Sequence, residues 1–138
     1  MVESAGVDDI VIRIMQFMGT RGIRYLDTQV ANAVEYVDKM VKDKRVILIE
    51  DDGFIHSVVF YSVCNDFEPF YKKEMWDFRE HDPEGSTVYI EKAVCAKMKK
   101  SIATMIRNTI QAKYPKAKIG KWHRWGKRSD REFGTVRR

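Results

Sequence analysis

The chain has 138 residues, 44% of them apolar and 33% charged, the balance of one folded domain that can bury a core without metal or disulfide staples. Three prolines and eight glycines exclude collagen-like and low-complexity classes, and no apolar run approaches the roughly 18 residues of a membrane span. The net charge of +5 is unevenly spread: residues 1–91 hold 10 Lys/Arg against 18 Asp/Glu, whereas residues 92–138 hold 15 against 2. Such a split fits a surface for an anionic partner (nucleic acid, a phosphorylated cofactor or an acidic protein), or two halves that face each other in the fold.

The first helix is expected from a cap at Asp8 or Asp9 to about Met18, with Ile10, Ile14 and Phe17 on one face. Gly19-Thr20-Arg21-Gly22 reads as its stop. A second helix follows the Asp27-Thr28 cap, lined by Val30, Val34, Val37 and Val41 and closed by Lys39, Lys42 and Lys44. The period then changes. Arg45 to Glu50 is a continuous apolar run of the kind found in buried strands. Asp51-Asp52-Gly53 is a hairpin turn, because glycine accepts positive φ without a steric cost, and Phe54 to Val63 is the return strand.

Pro69 opens a short expected helix with Tyr71, Met75 and Phe78 on one face, and residues 82–86 form a turn. Thr87 to Cys95 is a further strand, with Val88, Ile90 and Val94 on one face and Tyr89, Glu91, Ala93 and Cys95 on the other. A third helix spans about Lys99 to Lys113, with Ile102, Met105, Ile106 and Ile110 as its apolar stripe, and Pro115 ends it. Lys118 to Trp125 and Arg131 to Val136 read as a closing hairpin. The order predicts one α/β or α+β domain over residues 1–138, built on a mixed, mostly antiparallel sheet flanked by helices.

Two helices, a hairpin with an acidic-Gly turn, a strand, a helix and a closing strand pair resemble the GNAT acetyltransferase superfamily. The likeness is clearest in Val46-Ile47-Leu48-Ile49-Glu50-Asp51-Asp52-Gly53-Phe54-Ile55-His56-Ser57-Val58-Val59. The resemblance implies that strand 87–95 and helix 99–113 form the acyl-CoA site, with Glu91 where some members keep a general base. A charged partner in the C-terminal hairpin is the structural alternative for that residue. In the family, the loop between this strand and helix carries Gln/Arg-x-x-Gly-x-Gly/Ala, whose backbone N–H groups cradle a pyrophosphate. Here the segment is Ala96-Lys97-Met98-Lys99-Lys100-Ser101, without glycine. Lys97, Lys99, Lys100 and Ser101 are what remains to hold coenzyme A, and the family's later Asn and Tyr positions have no match.

The residues support no other familiar chemistry. His56, His81 and His123 lack metal-ligand spacing, so no metal is expected. Gly-x-Ser-x-Gly, Walker A and Rossmann glycine patterns are absent. Cys64 and Cys95 do not form a Cys-x-x-Cys pair and read as buried, reduced thiols. The first nine residues lack the basic-then-apolar order of a secretion signal, so a cytoplasmic setting, or one within a phage particle, is expected.

From Lys113 to Arg138 the chain carries 10 Lys/Arg and 2 acids, interleaved with aromatic rings. Lys121, Trp122, Arg124, Trp125, Lys127, Arg128 and Arg131 form a candidate set for anions or nucleic acid, with cations on phosphates and rings on unpaired bases. The alternative is a solvated basic strand with tryptophan in the core. Phe67, Phe70, Tyr71, Trp76 and Phe78 suggest either a protein interface or a lid over the core.

Three functions follow in order of expectation. The first is a non-catalytic binding or structural accessory protein with a GNAT-like fold and no cofactor. It would contact nucleic acid or a larger protein assembly through its basic half, and its Lys- and aromatic-rich style resembles phage-encoded proteins. The second is a divergent N-acyltransferase using acetyl-CoA or another acyl-CoA. The third is a plain nucleic-acid binder.

Overall fold

A computed structural model describes residues 9–21, 30–65, 81–97, 100–117, 119–123 and 130–135, the last two segments and Val30 as backbone only. The elements are α1 (Asp9–Thr20), α2 (Val30–Lys42), β1 (Val46–Asp51), β2 (Phe54–Cys64), β3 (Thr87–Cys95), α3 (Lys100–Lys113), β4 (Ile119–His123) and β5 (Asp130–Thr135). The strands form one sheet in the order β1-β2-β3-β4-β5. All neighbours are antiparallel except β3 and β4, which are parallel and joined through α3. The fold is therefore α+β on a mixed, mostly antiparallel sheet.

Alternation along β2 builds two cores. Val58 and Phe60 face α1 and α2, where they meet Val11, Ile14, Met18, Ala33, Tyr36, Val37 and Met40. Val59, Tyr61 and Val63 face the other way and join Ile47, Val88 and Ile90 with Ile110 and Tyr114 at the end of α3. The β1–β2 hairpin closes through Asp52 (φ 55°) and Gly53 (φ 80°), the paired positive φ values of a type I′ turn.

Several expectations are corrected by local contacts. α1 runs through Gly19 to Thr20, since the Thr20 hydroxyl donates to the Phe17 carbonyl (2.7 Å) and Arg21 N–H to that of Met18 (3.0 Å). The buried stripe of α2 is Ala33, Tyr36, Val37 and Met40, whereas Val34 and Val41 lie half-buried on its flank. β1 is an edge strand with only Ile47 buried, not a fully buried one. Met105 remains 48% exposed because α3 rests on the sheet through the Ile106–Ile110–Tyr114 line. The helix expected from Pro69 and the Asp27-Thr28 cap lie outside the described residues.

The end of α2 fixes the entry to the sheet. Lys44 N–H donates to the Val41 carbonyl (3.1 Å) and Arg45 N–H to that of Met40 (2.9 Å), the two bonds of a Schellman cap. Lys44 occupies the left-handed position at φ 58°, which normally favours glycine. Lys44→Gly is expected to raise stability by about 0.5–1 kcal/mol, read as a higher denaturation midpoint, because the Lys44 carbonyl that accepts from Tyr61 and Lys113 is retained.

Beyond Val63 the chain turns back on itself. Asp82 N–H donates to the Val63 carbonyl (2.7 Å) and Val63 N–H donates to His81 Nδ1 (3.0 Å), so residues 81–82 cover this part of β2. Gly85 then passes so close that a Cβ there would lie 2.7 Å from the Cys64 carbonyl carbon and oxygen. Cys64 and Cys95 are both free thiols, Cys64 buried and Cys95 half-buried. Ser57 pairs with Cys95 and Cys64 with Thr87, which sets the two thiols at opposite ends of the hairpin, about 23 Å apart at the strand rise and beyond disulfide reach.

Candidate functional site

The site begins with one extra residue in β3. Phe60 pairs with Lys92 and Tyr61 with Ile90, which leaves Glu91 as a bulge between them. A bulge breaks the two-residue alternation, so residues on either side of it exchange faces. Val88 and Ile90 pack on the α3 side, whereas Val94 packs with α1 and α2. This corrects the expectation that all three share a face. It also turns both Glu91 and Lys92 towards α2, where Tyr36 receives them.

Glu91 is fully buried. Its Oε1 accepts from the Tyr36 hydroxyl at 2.5 Å, and its Oε2 accepts from the Ser62 hydroxyl. Ser62 Oγ in turn accepts from Arg45 Nη1 at 3.1 Å. Arg45 is only 2% exposed, with Nε 3.7 Å from an Asp43 carboxylate oxygen. Lys92 Nζ lies 4.0 Å from the centre of the Tyr36 ring, a cation–π contact in a desolvated setting. Tyr36 also packs edge-on against Phe60, with ring centres 5.5 Å apart. The network ties α2, the start of β1, β2 and β3 together. The two Glu91 oxygens thus meet a phenol from α2 and a hydroxyl from β2.

Tyr36, Ser62, Arg45 and Lys92 were not singled out by sequence reasoning. A signal existed for one of them, since Ser62 is a polar residue embedded in an apolar strand run, and buried polar side chains require partners.

The bulge also marks where β3 and β4 part. Their parallel pairing covers Thr87–Ile90 against Ile119–Trp122, while β3 itself continues to Cys95. Among the described residues, Lys92–Cys95 therefore pair with β2 alone. The connection onward to α3 places Lys97, Lys100 and Ser101 in solvent. Lys99 lies outside the described residues.

In the closing hairpin, backbone register sets Lys121 opposite Glu132 and Trp122 opposite Arg131. Arg124, Trp125, Lys127 and Arg128 lie outside the described residues. The structure thus brings Lys121, Trp122 and Arg131 to adjacent strand positions. Among the described residues, no group of three or more His, Cys, Asp or Glu is placed to hold a metal ion, and no helix is long and apolar enough to cross a membrane.

A second polar cluster, missed in the sequence, lies beneath the end of α3. The Tyr61 hydroxyl donates to the Lys44 carbonyl (3.1 Å) and lies 3.3 Å from the Tyr114 hydroxyl. Lys113 Nζ donates to the same carbonyl (2.9 Å) and to Tyr61 (3.3 Å). Burial, reinforced by the Tyr114 contact, pushes the Tyr61 phenol well above its ordinary range. The His81 ring stands edge-on to Tyr114, with centres 5.8 Å apart.

Burial first, and then the nearby Arg45 charge, lower the His81 pKa below 6.5, with Asp43 opposing, Lys113 adding to the lowering and Asp82 opposing least. Protonation would also convert Nδ1 from acceptor to donor and break its bond from Val63 N–H. The unfolded chain therefore binds this proton more readily than the folded one. The His81 contribution is present above about pH 6.5 and falls as pH drops through the lowered folded pKa. Denaturation midpoints measured between pH 7.5 and 5 are expected to fall, with a shallower fall in His81→Gln.

No known protein family, curated protein or solved structure matches the chain.

Proposed function

We propose that this protein is a non-catalytic binding or structural accessory protein with a GNAT-like fold that engages an anionic partner through its basic half. The observation that carries this reading is the state of Glu91. A general base must lie within reach of the proton it removes. Glu91 has no solvent-exposed surface, and each of its oxygens already accepts a hydrogen bond. Its environment is that of a tie between a helix and two strands.

The cofactor loop points the same way. Residues 96–101 contain no glycine to admit a pyrophosphate against the backbone. Lys97, Lys100 and Ser101 supply exposed cations and a hydroxyl without that cradle. Of four ion pairs among the described residues, three fall within the acidic half. Lys116–Glu84 is an ion pair that crosses between the basic and acidic halves, whereas Arg13–Glu50, Lys42–Asp38 and Arg45–Asp43 lie within the first.

One observation favours a second reading, a divergent acyl-CoA-dependent N-acyltransferase: the described pairing of β3 with β4 ends at Ile90, while β3 continues to Cys95. Calorimetric titration with acetyl-CoA separates the two. The proposed function expects no saturable binding that survives moderate salt. Micromolar binding with acetyl transfer to an amine would replace it with the second reading.

A further inference from the structure

We infer that the outward face of α3 is a docking surface for the phosphate backbone of duplex nucleic acid; this rests on the anionic-partner reading and names both the surface and the partner. The face is defined by what α3 buries. Ile102, Ile106 and Ile110 form one line at four-residue spacing, of which Ile110 is buried and the other two half-buried. The arc opposite them carries Lys100, Ser101, Thr104, Arg107 and Asn108, all exposed, and Lys97 precedes it, also exposed.

Three features give this face its partner. First, it is cationic without internal neutralisation. No acid occurs between Glu91 and Asp130, and among the described residues none of Lys97, Lys100 and Arg107 forms an ion pair with a carboxylate. Lys113 and Lys116, nearer the other end of the helix, are by contrast engaged with Tyr61 and Lys44 and with Glu84. Second, the face carries the short hydroxyls of Ser101 and Thr104 between Lys100 and Arg107 and the amide of Asn108 just beyond, which donate to phosphate oxygens without holding the backbones apart. Lys100 and Arg107 stand two helical turns apart, about 10.5 Å along the axis, which suits a helix laid along a duplex groove. Third, the face carries no aromatic ring, the stacking platform that single strands require. The charge therefore selects a polyanion, and the lack of rings selects the duplex over the single strand.

The test is fluorescence anisotropy of the full chain with a labelled mixed-sequence 20-base-pair DNA duplex (a probe of roughly two helical turns) over a salt series, against Lys97→Gln/Lys100→Gln/Arg107→Gln. All three positions are exposed, so folding is retained, and circular dichroism checks it. The expected result is weaker binding and a log–log salt slope shallower by roughly 2 to 3, about 0.9 for each phosphate that the variant no longer neutralises. Duplex binding by the natural chain with an unchanged slope in the triple variant would overturn the α3 assignment and leave the anionic-partner reading standing. Tighter binding of a single strand of the same length would overturn the choice of duplex. No binding of either at low salt would overturn this inference together with nucleic acid as the anionic partner.

Discussion

Glu91→Ala is expected to destabilise the protein by about 3–5 kcal/mol, the cost of removing one member of a buried charged network. The Tyr36 and Ser62 hydroxyls would each lose their acceptor at a site with no access to water. Arg45 would remain buried behind Ser62, and Lys92 beside Tyr36, each next to a hydroxyl that has lost its acceptor. Glu91→Gln keeps the shape and one carbonyl acceptor, so its expected cost is smaller, about 1–3 kcal/mol. Urea denaturation of the three proteins measures this order. A catalytic Glu91 would give the opposite pattern, with a fall in acyl transfer in Glu91→Gln and stability nearly unchanged.

Phe60→Ala is the second large effect, an expected loss of about 3–5 kcal/mol by removal of a fully buried ring. Phe60 lies in the middle of β2, on the face that receives both α1 and α2. Its ring also sets the edge-on position of Tyr36, whose hydroxyl reaches Glu91. The cavity would therefore loosen the Glu91 network as well as the apolar core. A double-mutant cycle with Tyr36→Phe is expected to show coupling above about 0.5 kcal/mol, the level at which touching residues depart from additivity, in the same denaturation experiment. Additive losses would mean that the ring and the hydrogen bond act independently.

Legibility in the sequence followed the reach of the interactions. The β1–β2 hairpin was readable because Asp52-Gly53 supplies its turn from local backbone preference alone. Strand β3 was readable to both ends, Thr87 and Cys95, because β-branched and aromatic residues crowd it. The α+β class followed from the order of such elements. The bulge at Glu91 was not readable, since a bulge is a mismatch between two strands and leaves no mark in the composition of either. That single residue reverses the faces of β3 beyond it and decides what Glu91 touches. The actual stripe of α2 was missed for a related reason, because Tyr36 counts as apolar by ring and polar by hydroxyl, and its partner lies 55 residues away. The cationic character of the second half was plain from counting. Which of its cations stand on an exposed helix face away from carboxylates depends on tertiary structure, such as the approach of Lys113 to Tyr61.

The measurement that tests the central claim most directly is the affinity of the full chain for a mixed-sequence DNA duplex across a salt series. A binding protein with exposed cations along α3 is expected to bind at low salt and to lose affinity linearly on a log–log scale, with a slope of about −2.7 or steeper. No binding at roughly 50 mM salt, the low end of the range over which phosphate contacts dominate, would contradict it.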